Sequence, residues 1–456
     1  MIRIAPSMAP PDLVPIPRIS GDPLLGNLRA LREDRVAFQL RVAREAPEIA
    51  RLRVGLFPAV MIGSPAFAHQ VLALDHASFV KAPGLAVFLR PLLGRGLLTS
   101  ERDVHTRQRR LIAPAFAHRR ISSYASLIAQ RSETFAASLE TGRVLDVSEG
   151  MMRLTLEIVG KTLFDAEVGS SAGEVGRALT VAMECAMAQL SSLVPIPPFV
   201  PTRTNMKSRR AVAQLDAILY KIIRERRGQG DDRGDLLSML LATRDEDGAT
   251  MTDLQVRDEA MTLFLAGHET TANALSWALY LLAKNQQART RVEAEIDALG
   301  RVPSYDDLRL LPWTLAVLKE TLRLYPPAYI LARRAIEDVV VGRHLVKKHT
   351  IVLLNVLGIH RRPDLFPRPE SFEPERFMGE AEKSLPRCGY MPFGAGPRIC
   401  IGNHFALMEG HVVLASLLAR LRLDLVDAAP VATEPLVTLR PRGGIRMRVT
   451  VREPRT

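Results

Sequence analysis

The chain has 456 residues, of which 47% are hydrophobic and 24% charged. These proportions are those of a globular protein and exclude a disordered, collagen-like or coiled-coil chain. Lys and Arg number 61 against 49 Asp and Glu, a net charge of +12, which calls for an acidic partner or a basic docking face. Three cysteines, Cys185, Cys388 and Cys400, are too few and odd in number for a disulfide scaffold, so a reducing compartment is expected.

The length fits either about three domains or one large enzyme domain. The N-terminus is broken by Pro6, Pro10, Pro11, Pro15 and Pro17 and has no long apolar run. The most apolar long stretch, Met261 to Ala283, is interrupted by His268 and Glu269, and ionisable groups are costly at the centre of a bilayer. The expectation is a cytoplasmic protein without a transmembrane anchor.

In chain order, Arg51 to Gly63 reads as a β-hairpin around a Gly/Pro turn. From Ser64 onward, apolar residues three and four apart predict helices over 101–118, 121–139, 151–164, 173–190, 208–227 and 252–298. Leu193 to Pro201 contains too many prolines for a helix and reads as an apolar surface loop, either a connector or an entrance lid for greasy ligands. A helix is expected from Pro312 to Tyr325. Val339 to Val346 and Thr350 to Asn355 then read as two strands separated by a turn. Pro363 to Pro397 is a long meander punctuated by proline, and an amphipathic helix from Asn403 to Leu421 precedes short terminal strands.

The residues with chemistry begin at Phe393-Gly-Ala-Gly-Pro-Arg-Ile-Cys-Ile-Gly402. It sets a cysteine in a glycine-flexed loop just before a helix, where free N–H groups and the helix dipole favour a thiolate. Gly394, Gly396 and Gly402 allow tight turns and let a flat ligand approach. A lone cysteine is ordinarily a small buried apolar residue. Here five fixed positions in ten, Phe393, Gly396, Arg398, Cys400 and Gly402, make the run specific.

The run resembles the haem-binding loop of the cytochrome P-450 (haem-thiolate) monooxygenases. The resemblance implies that Cys400 is the axial ligand of the haem iron in haem b, and that Arg398 holds a haem propionate. Phe393, Gly394 and Gly402 belong to the same cofactor-binding loop. Glu320-Thr-Leu-Arg323, with both charges on one helix face, and Arg376 in Pro374-Glu-Arg-Phe377 match the family's buried charge network, which has a structural role.

Ala266-Gly-His-Glu-Thr-Thr271 resembles the family's oxygen-binding groove. Ala266 and Gly267 would leave room above the iron, and Glu269 and Thr270 would relay protons. Gly267 and the Thr hydroxyls would also let this helix open locally. His105 and Arg109, four apart, match two further propionate partners; Arg333 or its neighbour Arg334 matches a third.

The fold implied is the cytochrome P-450 fold, mainly α with a small β subdomain. The haem lies between the long central helix and the helix after the cysteine loop. One catalytic domain spans 1–456. Its β-rich part comprises about 45–64, 328–360 and the C-terminal strands; its helical part covers about 65–326 and 400–422. By position, Leu85, Phe88, Ile196, Ile330, Leu331 and Val437 would line an apolar pocket. That suits hydroxylation or epoxidation of a lipophilic molecule such as a terpenoid, fatty acid or polyketide.

The chain leaves no room for a fused reductase, so electrons from NAD(P)H would arrive through an acidic ferredoxin or flavodoxin with its own reductase. That partner would dock on Arg107, Arg110, Arg119, Arg120, Lys383 and Arg387, and a monomer is expected. Rival readings are a haem-thiolate peroxygenase or isomerase, disfavoured by the intact Glu269-Thr270 pair, and a non-catalytic haem-thiolate sensor. Nucleic-acid binding lacks aromatic platforms and a recognition helix.

Overall fold

The computed structural model describes residues 12–165, 172–190, 192, 196–229, 235–243, 248, 250–301 and 303–452. The N-terminal half supplies helices α1 (Leu28–Glu33), α2 (Arg35–Glu45), α3 (Pro65–His69), α4 (Pro83–Leu93), α5 (Arg102–Ile112), α6 (His118–Ala137), α7 (Val147–Phe164), α8 (Ala172–Leu190) and α9 (Arg203–Gln229). There follow α10 (Leu236–Ala242), α11 (Asp253–Lys284), α12 (Gln286–Asp297), α13 (Pro312–Leu324), α14 (Val356–Ile359) and α15 (Asn403–Arg420).

Helix α11 is the axis of the molecule. It starts with a capping box between Thr252 and Gln255, and it is buried along most of its 32 residues. Its most extensive partner is α7. The expected helix over 252–298 is in fact two, because Asn285 takes a non-helical conformation and its side-chain amide donates to the carbonyl of Leu281. Asparagine competes for backbone groups in this way and so terminates helices. The expected amphipathic helix at 403–421 is instead buried on nearly every side. Packed against α6, α11, α12 and α13, it has no wide polar face.

The main sheet draws on both halves of the chain. Strands β1 (Ile49–Val54), β2 (Phe57–Ile62), β3 (Phe79–Lys81), β5 (Leu331–Ala335) and β8 (Ile351–Leu354) run in the order β1-β2-β8-β5-β3. β2 and β8 are parallel and the other pairs antiparallel. The single strand expected over 339–346 is a hairpin of β6 (Val339–Val341) and β7 (His344–Val346). It turns at Gly342, whose φ is +58°, a conformation glycine adopts without penalty. β4 (Val144–Asp146), β9 (Leu421–Leu425) and β12 (Arg446–Val451) form a second sheet, and β10 (Thr433–Pro435) and β11 (Leu439–Pro441) a last hairpin.

Of the apolar loop expected at 193–201, residues 193–195 lie outside the described residues, as do residues 1–11 of the proline-rich entry. The remainder of the loop is irregular. Asn205 holds the carbonyls of Pro197 and Val200, leaving Phe199 exposed. Among the described residues no helix is long and apolar enough to cross a membrane.

Candidate functional site

The cysteine loop is shaped by two glycines in the left-handed region, Gly394 at φ +74° and Gly396 at φ +71°. A Cβ on Gly396 would run into the carbonyl of Leu72, so the loop can lie against that segment only with glycine here. Cys400 N donates to the carbonyl of Phe393 at 3.0 Å. Arg109 Nη1 donates to the carbonyl of Ile399 at 2.7 Å, tying the loop to α5. A Cβ on Gly402, the residue before α15, would meet the Phe116 ring at 3.5 Å.

The Cys400 side chain is accessible, whereas Cys185 and Cys388 are buried. Cys400 is nonetheless set deep in the protein. Burial raises its thiol, while the Gly402 N–H and the Arg109 charge oppose that shift. Burial pushes Cys388 up to about 11 and leaves it inert. No three His, Cys, Asp or Glu side chains among the described residues are grouped to hold a metal ion. A metal at Cys400 would therefore bring its other ligands with it, as an iron porphyrin does.

Around this loop the fold gathers basic side chains from four elements. His105 and Arg109 lie on α5, Arg333 on β5, Arg398 in the cysteine loop and Lys81 on β3. Burial, then the charges of Arg398, Lys81, Arg109 and Arg333, hold His105 down at about 3. Burial and Arg398 lower Arg333 to about 10. Lys81 falls to about 7, chiefly through burial, then through Arg398. Arg333 contributes to depressing His105, whereas Arg334, one residue on, is not among the main charges that do so.

A carboxylate, Glu101, is bonded into the cluster. Glu101 pairs with Arg398 and accepts from Lys81 N at 2.8 Å, while Ser100 O takes Arg398 Nη1 at 3.1 Å. The neighbouring Glu259 is kept neutral near pH 7, pushed up to about 8 by burial and by the Asp258 charge. Cations that repel one another in a buried place suit a dianionic group, and two propionates supply one. The donor set and the glycine cradle thus fit haem. Lys81 and Glu101 were missed from the sequence because the register Lys81↔Arg333 joins positions far apart in the chain.

On α11, Ala266 is exposed in a helix otherwise almost wholly buried. Thr270 Oγ1 donates to Ala266 O at 2.7 Å, so the expected local opening is replaced by a continuous helix with the hydroxyl bonded back one turn. The expected room at Gly267 is corrected too. A Cβ there would approach Val159 of α7 to 3.0 Å, so this glycine serves helix packing, whereas Ala266 is exposed. Glu269 accepts from Thr438 Oγ1 at 2.5 Å, and Thr438 in turn accepts from Asn273 Nδ2 at 3.1 Å. His268 is buried, its Nδ1 2.8 Å from Phe264 O.

Beneath the loop, Glu320 and Arg323 are fully buried and joined by two hydrogen bonds of 2.7 and 2.8 Å. Arg323 also donates to the carbonyls of His360, Pro369 and Ser371. Arg376 lies 3.6 Å from Glu320 and 2.6 Å from Glu373. The network pins the meander to α13. Such a buried pair fixes geometry more than it adds stability, because desolvation offsets much of the attraction.

The predicted pocket residues separate. Phe88 and Val437 pack on the apolar cluster of α4, α8, α9 and α11 that also meets Ile401, beside Cys400. Leu331 lies 3.6 Å from where a Gly394 Cβ would stand. Ile330 packs instead on clusters around Phe38 and Tyr329. Ile196 is half-buried, its N–H on Gln189 Oε1, and the Leu85 side chain lies outside the described residues.

The model of the family described as Cytochrome P450 matches residues 17–447. The chain belongs to the cytochrome P450 family. It is 35% identical over 413 residues to cyclooctatin synthase of Streptomyces melanosporofaciens, covering 90% of this chain and 89% of that protein. Identity is also 35% to cyclooctat-9-en-7-ol 5-monooxygenase of the same organism, over 88% of each chain. Pentalenene oxygenase of Streptomyces avermitilis is 30% identical, over 89% of this chain and 91% of the other. The crystal structure of the cytochrome P450DA heme domain superposes with a TM-score of 0.87 at 28% identity, covering 97% of this chain and 99% of that one. This P450 is a haem-dependent monooxygenase acting on a lipophilic small molecule.

Proposed function

We propose that this P450 oxygenates a terpenoid hydrocarbon with electrons delivered by a separate acidic protein, and that its haem b is ligated by Cys400. The observation that carries the reading is the accessible Cys400 thiol in a glycine-shaped loop, encircled by cations that lack enough carboxylates of their own. Haem, when bound, supplies the activation of dioxygen and the oxidation of carbon.

The chain's own residues do the rest. Arg109, Arg333, Arg398, Lys81 and His105 orient the propionates, and exchange with a propionate would release Glu101 from Arg398. The cluster carrying Phe88 and Val437 desolvates an apolar substrate. At α11, Thr270 Oγ1 holds a proton beside Ala266, and Glu269 replenishes it. Terpenoids are favoured over fatty acids because related chains are named for oxygenating pentalenene and cyclooctat-9-en-7-ol and because the described pocket residues Phe88, Ile196, Ile330, Leu331 and Val437 are all apolar.

The electron donor is proposed to be a ferredoxin or flavodoxin, reduced by NAD(P)H through its own reductase. It would dock on the exposed basic positions Arg107, Arg110, Arg119 and Arg387, with Arg120 and Lys383 at the margin. Lys383 is already paired with Glu380 at 2.7 Å. The test is turnover of a terpene panel with a surrogate redox pair. Thr270→Ala should divert electrons to hydrogen peroxide; unchanged coupling would remove Thr270 from the relay, and no product from any terpene would remove the substrate class.

A further inference from the structure

Glu269 has a back door. It and His268 wall a cavity of about 10 Å³, about the room one water needs. The other walls include Thr180 and Met183 of α8 and Arg440 at the β10–β11 hairpin. A larger groove of about 450 Å³ opens outside, between α2, α8 and the same hairpin. Two residues, Leu436 and Arg440, belong to both walls.

Leu436 is fixed by its backbone. Its N–H bonds to Glu434 O and Thr438 O at 3.1 Å, and its carbonyl accepts from the Tyr329 hydroxyl at 2.8 Å. The Arg440 backbone is held in β11, and its side chain is held by two ion pairs. Nε lies 2.7 Å from Glu434, its cross-strand partner, and Nη2 lies 3.3 Å from Glu184 on α8. Glu184 is 47% exposed and Arg440 21%. An ion pair so open to water is worth only ~0–1 kcal/mol, so it opens thermally.

From this geometry we infer that Arg440, tethered by Glu184, is a gate through which water recharges Glu269 with protons. The inference rests on the proposed Glu269–Thr270 relay. Thr438 already occupies Glu269 Oε1, leaving Oε2 for a water in the small cavity. When that water protonates Oε2 it takes a proton from the groove water behind it, and the groove water is reprotonated in turn by hydronium or buffer acid in bulk solvent, so one proton moves inward and no hydroxide is left in the cavity or the groove. Arg440 is a positioning residue, acting on the water path to Glu269.

The experiment uses the haem-loaded protein with Cys185→Ser as background. Met183→Cys puts a thiol on the cavity wall, and its rate of capture by methyl methanethiosulfonate reads how often the gate opens. Glu184→Gln should raise that rate by up to about fivefold, the factor that about 1 kcal/mol represents. Arg440→Ala should raise it further, and Arg440→Lys should restore it. Without Met183→Cys, the first two variants should lower the solvent deuterium isotope effect on product formation. Equal capture rates across the series overturn the gate, whether or not product forms. Faster capture with an unchanged isotope effect overturns its role in proton supply.

Discussion

Glu409, on α15, gives the sharpest stability prediction. It is fully buried, and neither carboxyl oxygen has a hydrogen-bond partner. The hydroxyl of Thr271 lies near enough to favour the ionised form slightly, though no bond of good geometry joins them. Burial pushes the group from 4.5 up to about 8. In the unfolded chain the carboxyl ionises near 4.5; in the folded chain it stays protonated until about 8. Stability from this group is therefore complete below pH 4.5 and is lost as pH rises toward 8. Each pH unit in that window costs about 1.4 kcal/mol, so the interval from pH 5.5 to 7.5 costs about 3 kcal/mol. Glu409→Gln keeps the shape and removes the titration. Urea unfolding of both proteins at pH 5.5 and 7.5, followed by far-ultraviolet circular dichroism, should show the variant gaining about 3 kcal/mol on the parent between the two pH values. Parallel behaviour would refute the account, because it would mean that the carboxyl is ionised and satisfied in the folded state.

Other outcomes follow from the same physics. His360 and His411 are held neutral by burial, at about 3 and about 4. The unfolded chain protonates them near 6.5, so stability falls as pH drops below that value, by about 3 kcal/mol per unit for the pair down to pH 4. His411→Gln should reduce the measured slope by about 1.4 kcal/mol per pH unit in acid titrations followed by circular dichroism. Gly396→Ala meets both a left-handed backbone, at about 1–2 kcal/mol, and the Leu72 carbonyl; purified protein should carry little haem while keeping its helical spectrum. Lys81→Met removes one cation from the propionate cluster and should speed haem transfer to apomyoglobin severalfold; an unchanged rate would exclude Lys81 from it. Arg119→Glu should slow reduction by an acidic ferredoxin and flatten its dependence on salt; equal rates at all ionic strengths would move the docking face elsewhere.

Much of the architecture was legible in order along the chain. Residues whose chemistry depends on near neighbours announce themselves by spacing: Phe393 to Gly402 around Cys400, Glu320 with Arg323 one turn apart, and Ala266 to Thr270 on a long apolar helix. Boundaries were less legible. The turn at Gly342 and the break at Asn285 depend on one residue's backbone preference against a continuous apolar pattern, and the pattern alone does not reveal which prevails.

The sequence by itself determined the family, the thiolate candidate and the helical class, because these rest on local motifs and periodicity. Tertiary structure alone decided which charges are buried together. Lys81 meets Arg333 through strand register, Glu101 meets Arg398 across 297 positions, Thr438 meets Glu269 across 169, and Arg440 meets Glu184 across 256. Burial sets the protonation of Glu409, Glu259 and His105, and it is a property of everything packed around a side chain. No window of neighbouring residues contains that information.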